Sequence, residues 1–447
     1  MRVLVQHVFT SEIAAAAENG RPAPLEAEVL VPGLQVDPDY APVLVPSPNP
    51  VEPGTNPYAY GQQITFRTDP EQATYLVRGE LADQLTPSAH VKRHPDVVGI
   101  FSDPVIETTL TCGGDPAVGI AADVAQRLAV DQLAAEGMDG TGVALAVVDT
   151  GVNVAYLERM GRHPALDAQR SWKPRGVATQ PGEHPNNHGT MCAFDAGLAA
   201  PAATLLDYAV LLSQNHTTPV MQGLLSDAIV AYGRLLQLQQ ALPASYKSLV
   251  VTNSWGMFSP QWDFPPGNPG NYSDNPAHPF NVIVASLVAA GADVLFAAGN
   301  CGPECPDRRC GFGTTRSICG ANSHPSVLCI GGVDAHDTRV GYSSVGPGRL
   351  SAYKPDVSSY THFTGSGVFS PEPDSGTSAA CPVAAGVLAA VRTRCPSSRI
   401  SPVQLKSILF KTARDLGAVG FDYEYGWGVI DVPSLVNQLS AAGELAA

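Results

Sequence analysis

Val143-Ala144-Leu145-Ala146-Val147-Val148-Asp149-Thr150-Gly151 is the stretch on which the fold turns. Its apolar run has no polar face, so it predicts a strand buried on both sides, of the kind found in parallel sheets. The run stops at Asp149, which sets a carboxylate at the strand's C-terminal edge, where open α/β sheets bind ligands. Upstream, Val124 to Gly137 reads as a helix closed by glycine, and Asp139-Gly140-Thr141-Gly142 as the turn feeding the strand. Downstream, helices expected at Val220 to Ala241 and Phe280 to Ala290 precede apolar strands near Leu249 to Thr252 and Asp293 to Ala297. This alternation predicts an α/β fold of three layers, a mostly parallel sheet with helices on both faces.

Further segments carry reactive or hydrogen-bonding side chains at the ends of predicted elements. Asn187-His188-Gly189-Thr190-Met191-Cys192-Ala193 sets an imidazole at the start of a small-residue helix. Val294-Leu295-Phe296-Ala297-Ala298-Gly299-Asn300 is a strand ending on an amide that can donate to an oxyanion. Asp374-Ser375-Gly376-Thr377-Ser378-Ala379-Ala380-Cys381-Pro382 is a polar turn running into the helical segment Val383 to Val391. That turn places the Ser378 hydroxyl at a helix N-terminus, where free N–H groups and the dipole favour developing negative charge. A serine attacks an amide only with a base and a group that orients the base, and His188 and Asp149 are of those types.

Taken singly, each residue has an ordinary structural reading. Asp149 fits an Asx-turn, Ser378 a helix N-cap, His188 a satisfied core histidine and Asn300 a turn residue. Asp149-Thr150-Gly151 and Asp374-Ser375-Gly376-Thr377 also have the form of paired aspartic-protease triplets. That chemistry needs each triplet on an apolar strand, and Ser370-Pro371-Glu372-Pro373 precludes one before Asp374.

The order Asp149, His188, Asn300, Ser378 resembles the subtilisin-like serine proteases, over roughly Val118 to Val436. The resemblance implies that Ser378 is the nucleophile, His188 the general base and Asp149 its orienting partner. It makes Asn300 the side-chain oxyanion donor, with the Ser378 N–H as the second. Pro382 matches a proline that the family has just inside the nucleophile helix. Ser254-Trp255-Gly256, after Thr252-Asn253, is similar to the family's substrate-binding edge strand, and Ala297-Ala298-Gly299 to the opposite wall. A peptide would then bind between them as an added strand. Trp255 either narrows one pocket or faces away from substrate. Tyr423-Glu424-Tyr425-Gly426-Trp427-Gly428-Val429-Ile430-Asp431 is similar to the family's closing motif. The expected function is a serine endopeptidase acting through an acyl-enzyme. A peptide ligase or macrocyclase using the same groups, or a silent binding protein of the same fold, are the alternatives.

Ahead of this region, Val31 to Pro57 is dense in proline and reads as a loop or partly extended insertion. Gln63 to Arg67, Ala73 to Val77 and Val97 to Phe101 read as strands. The segment His94 to Glu107 resembles the end of a subtilase propeptide, a small α+β domain of ferredoxin-like type. Residues 1 to about 111 are therefore expected to be an inhibitory, self-processed prosegment, making the chain a zymogen. A permanently attached accessory domain is the other reading. Residues 112–440 are then the catalytic domain and 441–447 a tail.

With 447 residues, 44% hydrophobic and 15% charged, the chain can bury a core of ordinary density. A formal net charge of −15 argues against nucleic acid and anionic membranes as partners. No apolar stretch reaches the roughly twenty residues that a bilayer requires. The expected partners are a peptide or protein substrate and the chain's own prosegment, with the enzyme a monomer. The first residues alternate like a strand and lack the pattern of a secretion signal, so the chain is expected to be cytoplasmic or exported by a non-standard route.

Of nine cysteines, Cys301, Cys305, Cys310, Cys319 and Cys329 crowd the segment after Asn300. Disulfides, which imply an oxidising environment, free thiols and a metal site are all open there, although the spacing fits no strong zinc template. The odd number leaves at least one thiol free or paired between chains. The chemistry requires no cofactor, and no aspartate cluster has a spacing that assigns a structural calcium.

Overall fold

The structure is a computed structural model, described here for residues 1–447 apart from 24, 26–30, 51–63, 68, 82–93, 109–110, 114, 214–220 and 446–447. The N-terminal part comprises β1 (Arg2–Val8), α1 (Ser11–Glu18), β2 (Leu34–Val36), β3 (Val43–Val45), β4 (Thr74–Leu81) and β5 (Val97–Ser102). Its antiparallel sheet runs β2-β4-β1-β5, with β3 also on β4. β1 thus lies between β4 and β5, antiparallel to both. The proline-rich stretch contributes β2 and β3, two short strands on β4, in keeping with the partly extended of its two readings. The strand expected at Gln63 to Arg67 is reduced to a single bridge between Phe66 and Pro48, and Gln63 lies outside the described residues.

β6 (Val105–Glu107) leads out of this part, followed by α2 (Ala121–Arg127) and α3 (Val130–Ala135). The one helix expected from Val124 to Gly137 is divided at Ala129, whose φ of 47° interrupts the helical backbone. Next come β7 (Val143–Val148), α4 (Val154–Arg159), β8 (Ala165–Leu166), α5 (His188–Ala196), β9 (Thr204–Tyr208), β10 (Gln222–Leu224), α6 (Leu225–Gln240) and β11 (Ser248–Asn253). The helix expected from Val220 therefore starts at Leu225, because the residues before it pair as a strand with β6. α7 (Pro279–Ala289), β12 (Asp293–Ala297), β13 (Leu328–Val333), β14 (Val357–Tyr360), α8 (Thr377–Arg394), α9 (Pro402–Thr412) and α10 (Val432–Ala441) complete the chain.

The main sheet has seven strands in the order β14-β13-β12-β11-β7-β9-β8. Its neighbours are parallel throughout. The fully apolar run of β7 follows from its place inside this sheet. Val143, Leu145 and Val147 pack on one face with α5, α8, α9 and α10. Ala144, Ala146 and Val148 pack on the other with α6 and α7. The three layers are thus those read from the sequence. The N-terminal sheet adds a layer outside α6 and α7, to which it presents Leu4, Val45, Leu76 and Phe101. At this junction Arg78 pairs with Asp37 at 2.7 Å and Asp227 at 3.2 Å. No helix among the described residues is long and apolar enough to cross a membrane.

Candidate active site

Asp149 follows β7, and its backbone is fixed by bonds from its N–H to Tyr208 O and to its C=O from Leu211 N–H. Its Oδ1 accepts the Thr150 N–H at 2.7 Å. His188 begins α5, where Asn187 caps the helix and Oδ1 accepts the His188 N–H at 2.9 Å. The His188 Nδ1 lies 2.9 and 3.0 Å from the two carboxylate oxygens of Asp149. This places the ring proton on Nδ1 and leaves Nε2 as the basic nitrogen. Close approach of α5 to the end of β7 depends on Gly189. Its N–H bonds Thr150 Oγ1 at 2.8 Å, and a Cβ there would stand 2.5 Å from the Gly151 carbonyl oxygen.

Ser378 is the second residue of α8 and is buried, at 2% exposure. Pro382 has no N–H to bond the carbonyl four residues back, which is that of Ser378. The Ser378 oxygen is met instead by the Ser254 hydroxyl at 2.9 Å and the Cys192 thiol at 3.6 Å. Cys192 Sγ is also 3.7 Å from His188 Nδ1 and 3.8 Å from Asp149 Oδ2, so side chains from β7, α5 and α8 meet around it. Burial, reinforced by Asp149, pushes the Cys192 thiol well above its ordinary range. The donor atoms of Asp149, His188 and Cys192 cluster within 4.8 Å. The Ser378 hydroxyl donates to the Ser254 carbonyl at 3.4 Å, and no hydrogen bond between Ser378 and His188 is formed among the described residues. A buried hydroxyl rotates to an available acceptor, and Ser254 supplies one.

Asn300 is oriented by Thr377. Its Oδ1 accepts from the Thr377 N–H at 2.9 Å and the Thr377 hydroxyl at 3.1 Å. The same hydroxyl accepts the Gly299 N–H at 2.9 Å. Gly376 has a φ of +78°, and a Cβ on it would meet Asn300 Nδ2 at 2.7 Å. A glycine is therefore required on both conformational and steric grounds.

Of the two segments named as substrate walls, Ser254-Trp255-Gly256 follows β11, and Ala297-Ala298-Gly299 begins at the last residue of its neighbour β12. Asn322 joins them, its Nδ2 donating to the carbonyls of Trp255 at 2.8 Å and Ala297 at 2.9 Å. Ala298 N–H bonds Ile330 O. The Trp255 side chain turns away from the cleft into the core, where Nε1 bonds Val148 O at 2.9 Å beside Phe280 and Phe296. The pocket-narrowing alternative for Trp255 is therefore excluded. Gly256 is engaged by β6, since Glu107 N–H and Gly256 O, and Gly256 N–H and Glu107 O, are each 3.0 Å apart. On its other edge β6 pairs antiparallel with β10. Further along, Thr111 Oγ1 comes within 3.4 Å of the hydroxyl of Ser375, three residues before Ser378.

The profile of the subtilase family matches residues 140–428, the span that carries all these groups. The chain belongs to the subtilase family. Membership makes it a serine-type endopeptidase. This subtilase is 26% identical over 304 residues to subtilisin BL of Lederbergia lenta, covering 66% of this chain and 91% of that protein. It is 27% identical to subtilisin Savinase of the same organism over the same shares of each chain. It is also 27% identical over 304 residues to an alkaline protease of Alkalihalobacillus alcalophilus, spanning 66% of this chain and 64% of the other.

The subtilase has disulfides Cys112–Cys305 and Cys301–Cys310. The second closes the loop after Asn300, and the first ties that loop to the stretch following β6. Cys192, Cys319, Cys329, Cys381 and Cys395 are free and buried. Sequence reasoning missed Thr377, Asn322 and the link from Cys112. Thr377 lay inside the quoted motif, but its hydroxyl's partners are distant in sequence.

Proposed function

We propose that the subtilase hydrolyses peptide bonds through an acyl-enzyme on Ser378. His188 Nε2 takes the hydroxyl proton as Ser378 Oγ attacks the carbonyl carbon. Asp149 holds the tautomer and stabilises the imidazolium that forms. The tetrahedral oxyanion accepts from Asn300 Nδ2 and the Ser378 N–H. His188 then gives its proton to the leaving amine, and water, activated in turn by His188, releases the acid and restores Ser378. The observation that carries this reading is the contact of His188 Nδ1 with both Asp149 oxygens.

The chain is proposed to be a zymogen whose residues 1 to about 111 form a prosegment cut by the enzyme itself. Support comes from β6 lying between β10 and Gly256, where an added strand is expected, and from Thr111 approaching Ser375, three residues before Ser378. A cut before Cys112 leaves the Cys112–Cys305 disulfide on the mature enzyme. The two pieces then separate on a denaturing gel without reductant. Pieces that stay joined until reductant is added place the cut beyond Cys112. Fluorophosphonate labelling that disappears in Ser378→Ala tests the nucleophile, and an unlabelled wild type favours a silent binding protein. Capture of the acyl group by an added amine instead of water identifies a ligase.

A further inference from the structure

Glu107 is a carboxylate with 1% exposure on β6, at the position paired with Gly256. Its Oε2 lies 2.9 Å from Gln222 Nε2 and 2.9 Å from Arg309 Nη1. Arg309 also donates from Nη2 to the main-chain carbonyl of Thr108 at 2.7 Å. One guanidinium therefore grips both a side chain and the backbone of the segment lying on the substrate edge.

The guanidinium is held in place from behind. Asp307 accepts from Arg309 Nη2 at 2.8 Å and from Arg309 N–H at 2.9 Å. The Asp307 N–H in turn bonds the Asn300 carbonyl at 2.9 Å. Cys301–Cys310 closes this loop. Arg309 thus sits on a braced support that begins beside the oxyanion amide, and it keeps an anionic partner whether or not Glu107 is present.

We propose that Arg309, with Gln222, is a specificity-determining residue that selects an acidic side chain at the substrate position paired with Gly256. The proposal rests on the reading of β6 as a substrate-like strand. An acidic side chain there gains charge-assisted bonds from Arg309 and Gln222, which offset in part the burial that raises the Glu107 carboxyl above its ordinary value. A lysine would face Arg309 with like charge, which Asp307 offsets only in part, and such juxtaposition is the repulsive half of specificity. A neutral glutamine keeps the hydrogen bonds and falls between.

The test uses the full chain, incubated until any processing has stopped, and quenched-fluorescence peptides of its own sequence from Asp103 to Asp115, with serine at the cysteine. The peptides carry Glu, Gln or Lys at the place of Glu107. Wild type is expected to cleave the Glu peptide with kcat/KM at least tenfold above the Lys peptide, a ratio that shrinks as salt is raised. Arg309→Gln is expected to bring the ratio to within about threefold, and Arg309→Lys to restore part of it. Should Arg309→Gln fail to fold, the wild-type ratio and its salt dependence decide alone. Cleavage of the Glu and Lys peptides at equal rates overturns the proposal while leaving the protease intact. Failure to cleave any of them, with no fluorophosphonate label, overturns the proposed function as well.

Discussion

The carbonyl oxygen of Ser378 is held from outside its own helix by the hydroxyl of Ser254, at 2.9 Å. Pro382 makes this necessary, since it withdraws the helical donor. Replacing Ser254 by alanine leaves a buried acceptor with only the weak Cys192 thiol. Ser254→Ala is expected to destabilise the protein by about 1–3 kcal/mol in urea unfolding. Turnover should fall with it, because the same hydroxyl holds the carbonyl of the proposed nucleophile. Unchanged stability would mean that the helix start is held by other contacts.

Asn300→Ala is expected to slow turnover by about a hundredfold to a thousandfold, with KM nearly unchanged. Thr377→Val keeps the amide but removes the hydroxyl that accepts from Gly299 and donates to Asn300. Its loss of kcat should be smaller, about tenfold, since only the orientation is loosened. Steady-state kinetics on one peptide separates the two, and a Thr377→Val enzyme slower than Asn300→Ala would refute the assigned roles.

Gly189→Ala tests the approach of α5 to β7. Its new Cβ would lie 2.5 Å from backbone oxygen, which cannot rotate away. A cost of about 1–3 kcal/mol is expected, with displacement of His188 from Asp149. Loss of activity well beyond the loss of folded protein, measured by circular dichroism, is the predicted signature.

Asp103, at the junction of the N-terminal part with α6, accepts the Ser226 N–H at 2.7 Å. Burial pushes its carboxyl up to about 6, against the lowering effect of that bond, with Asp227 and Arg78 as its charged neighbours. A raised value means that the docked state binds protons more tightly than the released one. The contribution of Asp103 to docking is therefore full under acid conditions and is lost as pH rises through about 6. The processed protein should hold its N-terminal piece at about pH 5 and release it more readily at about pH 8. Asp103→Asn should flatten that dependence, as gel filtration across the range would register.

Much of the site was legible because its parts are local. An apolar run ending on Asp149, a capped helix starting at His188 and a glycine-bearing turn before Ser378 are patterns that a short stretch of chain determines by itself. Where the reading departed from the structure, longer-range contacts had intervened. Pairing with β6 shortened the helix expected from Val220.

From sequence alone came the layered α/β class, the order of Asp149, His188, Asn300 and Ser378, and the family resemblance. Tertiary structure decided that Trp255 faces the core, that Cys112 reaches Cys305, that Asn322 bridges the carbonyls of Trp255 and Ala297 and that Arg309 meets Glu107. Each of those depends on which distant segments come together. Backbone preferences and hydrophobic period act within a few residues, whereas the partner of a tryptophan, a thiol or a guanidinium is set only when the layers have packed.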